Sequence, residues 1–128
     1  PSNSFGLNYD PSHMAGMLMD YITPISEFKD RIFHTHAKDM LVRRDILAQT
    51  GLYNKQLLSS STENFCKPVM PGRGDVDFQK WISALKAAGY NGVVSIEHED
   101  PDFEGSLDKV KAGLLSAIGY LNPLIAAD

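Results

Sequence analysis

Residues 93–99 read VVSIEHE, an apolar run that ends in the carboxylate of Glu97. Such a run is typical of a parallel strand that is buried on both of its faces. A carboxylate at the end of a buried strand is costly unless it meets a counter-charge or a metal ion. Glu97 is therefore a candidate functional residue. Glu99 and Asp100 lie further out, and we expect both of them to be solvated.

Residues 34–39 read HTHAKD and predict the end of a second strand. His34 and His36 are two positions apart, so on an extended strand both imidazoles project to the same side. Two imidazoles on one face of a buried strand need hydrogen bonds or a ligand, which favours a functional role for at least one of them. Lys38 and Asp39 follow where the strand reaches solvent, and both are interpreted as ordinary charges at the rim.

A third strand is predicted over residues 5–10, and it ends at Asp10, where Pro11 turns the chain. An aspartate at this point can simply cap the helix that follows. It can also supply a ligand oxygen at the end of the strand, and His13 lies close enough to face the same cavity. Carboxylates and neutral imidazoles together suit Mn²⁺, Mg²⁺, Co²⁺ or Zn²⁺.

Arg73 stands between Gly72 and Gly74 in the sequence PGRGD of residues 71–75. Glycines allow a sharp turn or a close approach to a ligand, and the arginine fork suits hydroxyl, carboxylate or phosphate oxygens. A single Gly-Arg-Gly is a weak signal and usually marks only a turn. It does not match the glycine motifs that bind nucleotide phosphates.

The remaining periodicity predicts helices between these strands. The clearest helix begins after Asp77 and carries an apolar stripe at positions 78, 81, 82 and 85. Shorter helices are predicted over 13–21, 23–30 and 43–49. A final helix is expected over 106–121, with positions 107, 110, 114, 115, 118 and 121 facing inward and Pro123 ending it. The segment 40–70 is interpreted as a loop insertion whose polar run 59–62 is exposed. Strand and helix thus alternate as in a parallel α/β sheet.

Length and charge limit the function classes. A chain of 128 residues can form one modest domain, and its net charge of −4 argues against nucleic acid or an anionic membrane as partner. No apolar run approaches the roughly 20 residues of a membrane span. The single Cys66 cannot form an internal disulfide, which fits a reducing, cytoplasmic compartment.

The motifs YDPSH (9–13), HAKD (36–39), PGRG (71–74) and SIEHED (95–100), in this order, resemble the C-terminal portion of the xylose-isomerase-like TIM barrels. The sugar phosphate isomerase/epimerase group is the best match within them. The resemblance implies that Asp10, His36 and Glu97 bind a divalent metal, with Glu97 also a catalytic proton-transfer group. It implies substrate contacts for His13 and Arg73. A further glutamate ligand, from an earlier strand of the family, has no counterpart in this chain.

The resemblance implies a metal-dependent isomerase or epimerase that acts on a ketose or ketose phosphate through an enediolate. Alternatives are a keto-inositol dehydratase and a non-catalytic barrel fragment. The related abasic-site endonuclease with several zinc ions is disfavoured by the negative net charge and the small number of ligands. Residues 1–128 would supply about three βα units of an eight-stranded barrel. We therefore expect either a missing N-terminal half that another chain can supply, or self-association of fragments into a homo-oligomer, and no activity of the fragment alone.

Overall fold

The computed structural model describes residues 2–52 and 64–127, and the predicted polar loop at 59–62 lies outside these residues. The chain is an α/β protein with five strands and five α-helices in its described part. The strands are β1 (Leu7–Tyr9), β2 (Ile32–Ala37), β3 (Asp39–Val42), β4 (Cys66–Val69) and β5 (Val94–Ile96). The helices are α1 (Pro11–Gly16), α2 (Thr23–Glu27), α3 (Arg44–Thr50), α4 (Phe78–Ala87) and α5 (Leu107–Ala126).

Three strands form a parallel sheet in the order β1-β2-β5. Tyr9 of β1 is paired with Thr35 of β2, and Thr35 is in turn paired with Val94 of β5. Because all three strands run the same way, their carboxyl ends lie at one edge of the sheet. That edge carries Asp10 and Glu97, the first residues after β1 and β5.

The two faces of this sheet differ in chemistry. One face carries Tyr9, Ala37, Val94 and Ile96 and packs against the buried stripe of α4, as its periodicity predicts. The opposite face is polar, since its side chains bond to one another: Asn8 to His36, and His34 to Ser95. The prediction that β5 is buried on both faces is therefore wrong. Residues Val94–Ile96 are only half-buried, and Val93 is 63% exposed.

The segment 40–70 contributes more structure than a loop. β3 and β4 form a two-stranded antiparallel ribbon in which Asp39 is paired with Val69 and Val42 with Cys66. The predicted short helix is present as α3, and it ends at Gly51, whose positive φ of 68° favours glycine. The ribbon is missed from the sequence because its two strands are too short to show an alternating pattern.

Three helices differ from their predicted bounds. α2 ends at Glu27 and not at residue 30. α1 begins at Pro11 and ends at Gly16, well before the expected end at residue 21, and Leu18 takes a left-handed φ of 58°. α5 continues through Pro123 to Ala126, so the prediction that this proline ends the helix is wrong. A proline so near the end of a helix removes a single N–H donor, and the Ala127 N–H still bonds to the Pro123 carbonyl.

The inward face of α5 is only partly the predicted one. Leu121 is buried as expected, but Leu107 and Leu115 are largely exposed, and the other buried residues are Gly113 and Ala117. Small side chains at a spacing of four let the helix backbone approach its neighbours closely. Within the described part of the chain, no helix combines the length and apolar character needed to cross a membrane.

Candidate metal centre

The three predicted metal ligands lie together at the carboxyl edge of the sheet. Asp10 follows β1, His36 is in β2 and Glu97 follows β5. One ligand atom from each of them lies within 4.8 Å of the others. The strand order β1-β2-β5 explains this convergence, because His36 stands between the two carboxylates in the sheet.

Asp10 divides its two oxygens between two tasks. Oδ1 accepts a hydrogen bond from the Ser12 N–H at 2.8 Å and so caps α1. Oδ2 is buried and has no hydrogen-bond partner among the described residues. Two nitrogen atoms, His13 Nε2 and Lys38 Nζ, are each 3.4 Å from it. A buried carboxylate oxygen in this state is well suited to a cation.

His36 and Glu97 are held by direct contacts on the polar face. His36 Nδ1 lies 2.6 Å from Glu97 Oε2, and Asn8 Nδ2 lies 3.1 Å from His36 Nε2. His34 contacts the edge of the His36 ring and bonds to Ser95, so it belongs to the same face but not to the ligand group. Two carboxylates and one imidazole form a donor set that fits Mn²⁺, Mg²⁺, Co²⁺ or Zn²⁺.

Lys38 is buried beside this group, which corrects its interpretation as a rim charge. Its side chain is 4% exposed, and Nζ lies 3.0 Å from Glu97 Oε1. Burial alone would lower the pKa of Lys38, but its hydrogen bonds to Glu97 and Glu99 outweigh burial and raise that pKa. Burial would likewise raise the pKa of Glu97, but its hydrogen bonds to Lys38 and His36 lower it, so Glu97 is ionised at neutral pH.

His13 is largely exposed and lies on the wall of an open cavity of about 740 Å³ that reaches Asp10 and His36. The rest of the wall is mainly apolar, with contributions from Phe5, Leu7, Met14 and Phe28. The position of His13 is compatible with contact to a bound small molecule. Its role in substrate binding stays a prediction.

The structure pairs Arg73 with carboxylates outside the candidate metal centre. Its guanidinium bonds to Asp100 and to Asp102 and lies 4.9 Å from the centre of the Phe103 ring. Asp100 is fully buried and also accepts the Met70 N–H, so the expectation that it is solvated is wrong. The predicted substrate contact of Arg73 would require it to act from this ion-pair network, and it stays a prediction.

Asp39 is fully buried, so its interpretation as a rim charge is wrong. Its Oδ1 accepts the N–H groups of Met40 and Val76, and its Oδ2 accepts those of Gly72 and Gly74. A Cβ on Gly74 would lie 2.4 Å from Asp39 Oδ1. The glycines that flank Arg73 thus let the backbone approach this carboxylate, and they were the available signal for it.

Comparison with known proteins agrees with this architecture. Residues 1–123 match the family model of the xylose isomerase-like TIM barrel. The chain is 37% identical over 98 residues to the uncharacterized protein YfiH of Bacillus subtilis, and 35% identical over 96 residues to an inosose dehydratase of Halalkalibacterium halodurans. Each alignment covers 74% of this chain, but only 31% and 30% of those proteins.

A solved structure of the IolI protein with a zinc atom superposes with a TM-score of 0.63 at 22% identity. The superposition covers 98% of this chain and 39% of that chain, and it supports the fold alone. The chain therefore spans about a third of the length of the curated relatives that it matches. The predicted α/β fold of TIM-barrel type is confirmed, and the chain belongs to the xylose isomerase-like TIM-barrel family.

Proposed function

We propose that this chain supplies three ligands of the divalent-metal site of an enzyme that removes a proton next to the carbonyl of a polyhydroxy ketone. The observation that carries this proposal is the buried Asp10 Oδ2, which accepts no hydrogen bond from the described residues and lies beside His36 and Glu97 at adjoining strand ends. The zinc atom in the related IolI fold supports a metal in such a site.

A bound divalent cation would act as a Lewis acid on the carbonyl oxygen. The residues of this chain would do the rest. Asp10, His36 and Glu97 would hold the cation, and Glu97, ionised at neutral pH, would also accept the proton from the carbon next to the carbonyl. His13 lies 3.4 Å from Asp10 and would contact a substrate hydroxyl. Arg73 would contact a more distant oxygen of the substrate.

Two outcomes can follow proton removal, and they define two candidate activities. Return of the proton to another position or face gives isomerisation or epimerisation, which is the activity that the sequence motifs favour. Loss of a neighbouring hydroxyl as water gives dehydration, and the relatives that are named inosose dehydratases favour it at 31–35% identity. Both activities use the same residues for the first step.

The first prediction concerns metal binding by the chain. We expect calorimetric titration with Zn²⁺ or Mn²⁺ to give one site, and Asp10→Asn, His36→Ala and Glu97→Gln each to weaken it at least about tenfold, since a ligand is lost. His34→Ala is the matched control, because His34 lies on the same face of the same strand but outside the ligand group. An equal loss of metal affinity in the His34 variant, or no metal binding by the wild-type chain, would contradict the metal site.

The reaction itself is tested in a barrel that includes the missing strands. We expect a ketose or keto-inositol to exchange its carbon-bound proton with deuterated solvent, and Glu97→Gln to abolish that exchange. Exchange without loss of water identifies an isomerase or epimerase, whereas an unsaturated product identifies a dehydratase. A metal-loaded barrel that gives neither result would rule out both activities.

A further inference from the structure

Lys38 is a buried cation that the proposed reaction does not use. Its Nζ lies 3.0 Å from Glu97 Oε1, 3.1 Å from Glu99 Oε2 and 3.4 Å from Asp10 Oδ2. The ammonium group donates hydrogen bonds to Glu97 and Glu99, whereas Asp10 is within ion-pair distance without a hydrogen bond. These carboxylates come from the chain that follows β1 and β5, on either side of the strand before Lys38.

The carboxylates of this cluster outnumber its one ammonium group, and the imidazoles of His13 and His36 lie beside them. Asp10, Glu97 and Glu99 bring three negative charges, and Lys38 returns one positive charge. The two remaining negative charges are what a divalent cation would neutralise. Asp10 and Lys38 are almost completely buried, so salt and water screen the contact between these two groups only weakly, whereas Glu99 is half-exposed.

Lys38 and the proposed cation would use different atoms of the same carboxylate. Lys38 bonds to Oε1 of Glu97, whereas Oε2 of Glu97 faces His36. The contact from Lys38 to Asp10 Oδ2 is also the longest of its three, and it is not a hydrogen bond. At Glu97 a divalent cation would therefore not compete with Lys38, whereas at Asp10 it would take over Oδ2, which Lys38 faces in the metal-free chain.

We propose that Lys38 is a positioning residue that serves as a built-in counter-ion of the metal centre. It holds the carboxylates of Asp10 and Glu97 together while no cation is bound, and a divalent cation takes over part of that task. This inference rests on the proposed metal site. We therefore expect replacement of Lys38 to lower the stability of the metal-free chain more than that of the metal-bound chain.

Thermal unfolding of the 128-residue chain, with EDTA or with saturating Zn²⁺, tests this role. We expect Lys38→Met to lower Tm by more than about 5 °C in EDTA, because buried carboxylates lose their counter-ion. We expect Zn²⁺ to remove at least about half of that deficit. Lys67→Met is the control, since Lys67 also pairs with a carboxylate but at Asp102, and its small shift should be the same with and without Zn²⁺.

A second variant covers the case in which Lys38→Met does not fold in EDTA. Glu99 is 52% exposed in its side chain, so Glu99→Gln should fold and, combined with Lys38→Met, should recover part of the lost Tm by removing one negative charge. An equal deficit with and without Zn²⁺, together with no recovery in the double variant, would show that Lys38 only packs. If Zn²⁺ changes no Tm but the double variant recovers stability, the metal site fails while the counter-ion role stands.

Discussion

At the scale of single residues, Asp39 links two distant parts of the chain through backbone donors. It is fully buried and accepts N–H groups from its own strand and from the glycine turn 33 to 37 positions later. No described cation pairs with Asp39, and the four N–H groups that bond to it stabilise its negative charge. The same residue begins the ribbon strand β3 directly after Lys38, so it also fixes the point where the chain leaves the metal centre.

We expect Asp39→Asn to destabilise the chain, because its amide NH₂ would face two N–H donors in either orientation. The cost is roughly 1–3 kcal/mol for each donor left unsatisfied, measured by urea unfolding. Asp77→Asn is the matched control, because asparagine caps a helix as well as aspartate does and the bond from the Lys80 N–H can be kept. Similar small losses of unfolding free energy in both variants would show that the four hydrogen bonds of Asp39 contribute little to stability.

The sequence predicted the cluster of candidate ligands better than the buried charges. Asp10, His36 and Glu97 could be placed together because each stands at or beside the end of a strand, which is a local signal. The burial of Asp39 and Asp100 could not be predicted, since a charged side chain is expected to be exposed unless the groups that donate hydrogen bonds to it are known. The donors of Asp39 come from Gly72 and Gly74, and only the folded chain brings them together.

At the scale of elements, α5 has two glycines in different surroundings. A Cβ on Gly113 would lie 2.9 Å from Phe103 Cγ and 3.2 Å from His98 Nε2, whereas a Cβ on Gly119 would meet nothing within 4 Å. We expect Gly119→Ala to stabilise the chain by about 0.5–1 kcal/mol through helix propensity. Gly113→Ala should gain the same stability from helix propensity, but it should lose more stability because the new Cβ displaces the Phe103 ring.

Thermal unfolding of the two alanine variants measures this difference directly. The expected order of Tm is Gly119→Ala above the wild type and Gly113→Ala below it. Equal stabilisation by both substitutions would mean that α5 can shift away from the 101–103 turn at no cost. The helix would then not be fixed by its small-residue face.

Elements differed in how far sequence could predict them. α4 was predicted well because its cap at Asp77 and its apolar stripe lie within a few residues of each other. The ribbon was not, because β3 and β4 are four residues each and are paired across a long connection. The buried face of α5 was predicted only in part, because leucine and isoleucine were taken to face the core, whereas Gly113 and Ala117 are buried together with the predicted Leu121.

At the scale of the whole molecule, the parallel sheet leaves backbone and apolar side chains available at its borders. β1 and β5 are its outer strands, and Phe5 and Val93 beside them are 71% and 63% exposed. Leu107 and Leu115 add exposed apolar surface on α5. Unpaired strand edges next to apolar side chains favour association with another chain.

We expect the 128-residue chain to self-associate, with a light-scattering mass above 14.1 kDa that rises with concentration. Phe5→Lys together with Val93→Lys should shift it toward the monomer, because charge at a sheet edge opposes pairing. Lys substitution at Met19, which is exposed in the turn after α1, is the control. A monomer at every concentration would refute the expected association.

The division of the sheet into an apolar and a polar face determines which positions can be substituted without loss of stability. The helices pack against Tyr9, Ala37, Val94 and Ile96, while the side chains of the polar face alternate with them along the strands. We therefore expect substitutions on the polar face to leave the packing of the core unchanged. A library that randomises positions 8, 34 and 95 should yield mostly folded proteins, so selection for a new substrate could proceed without a parallel search for stability.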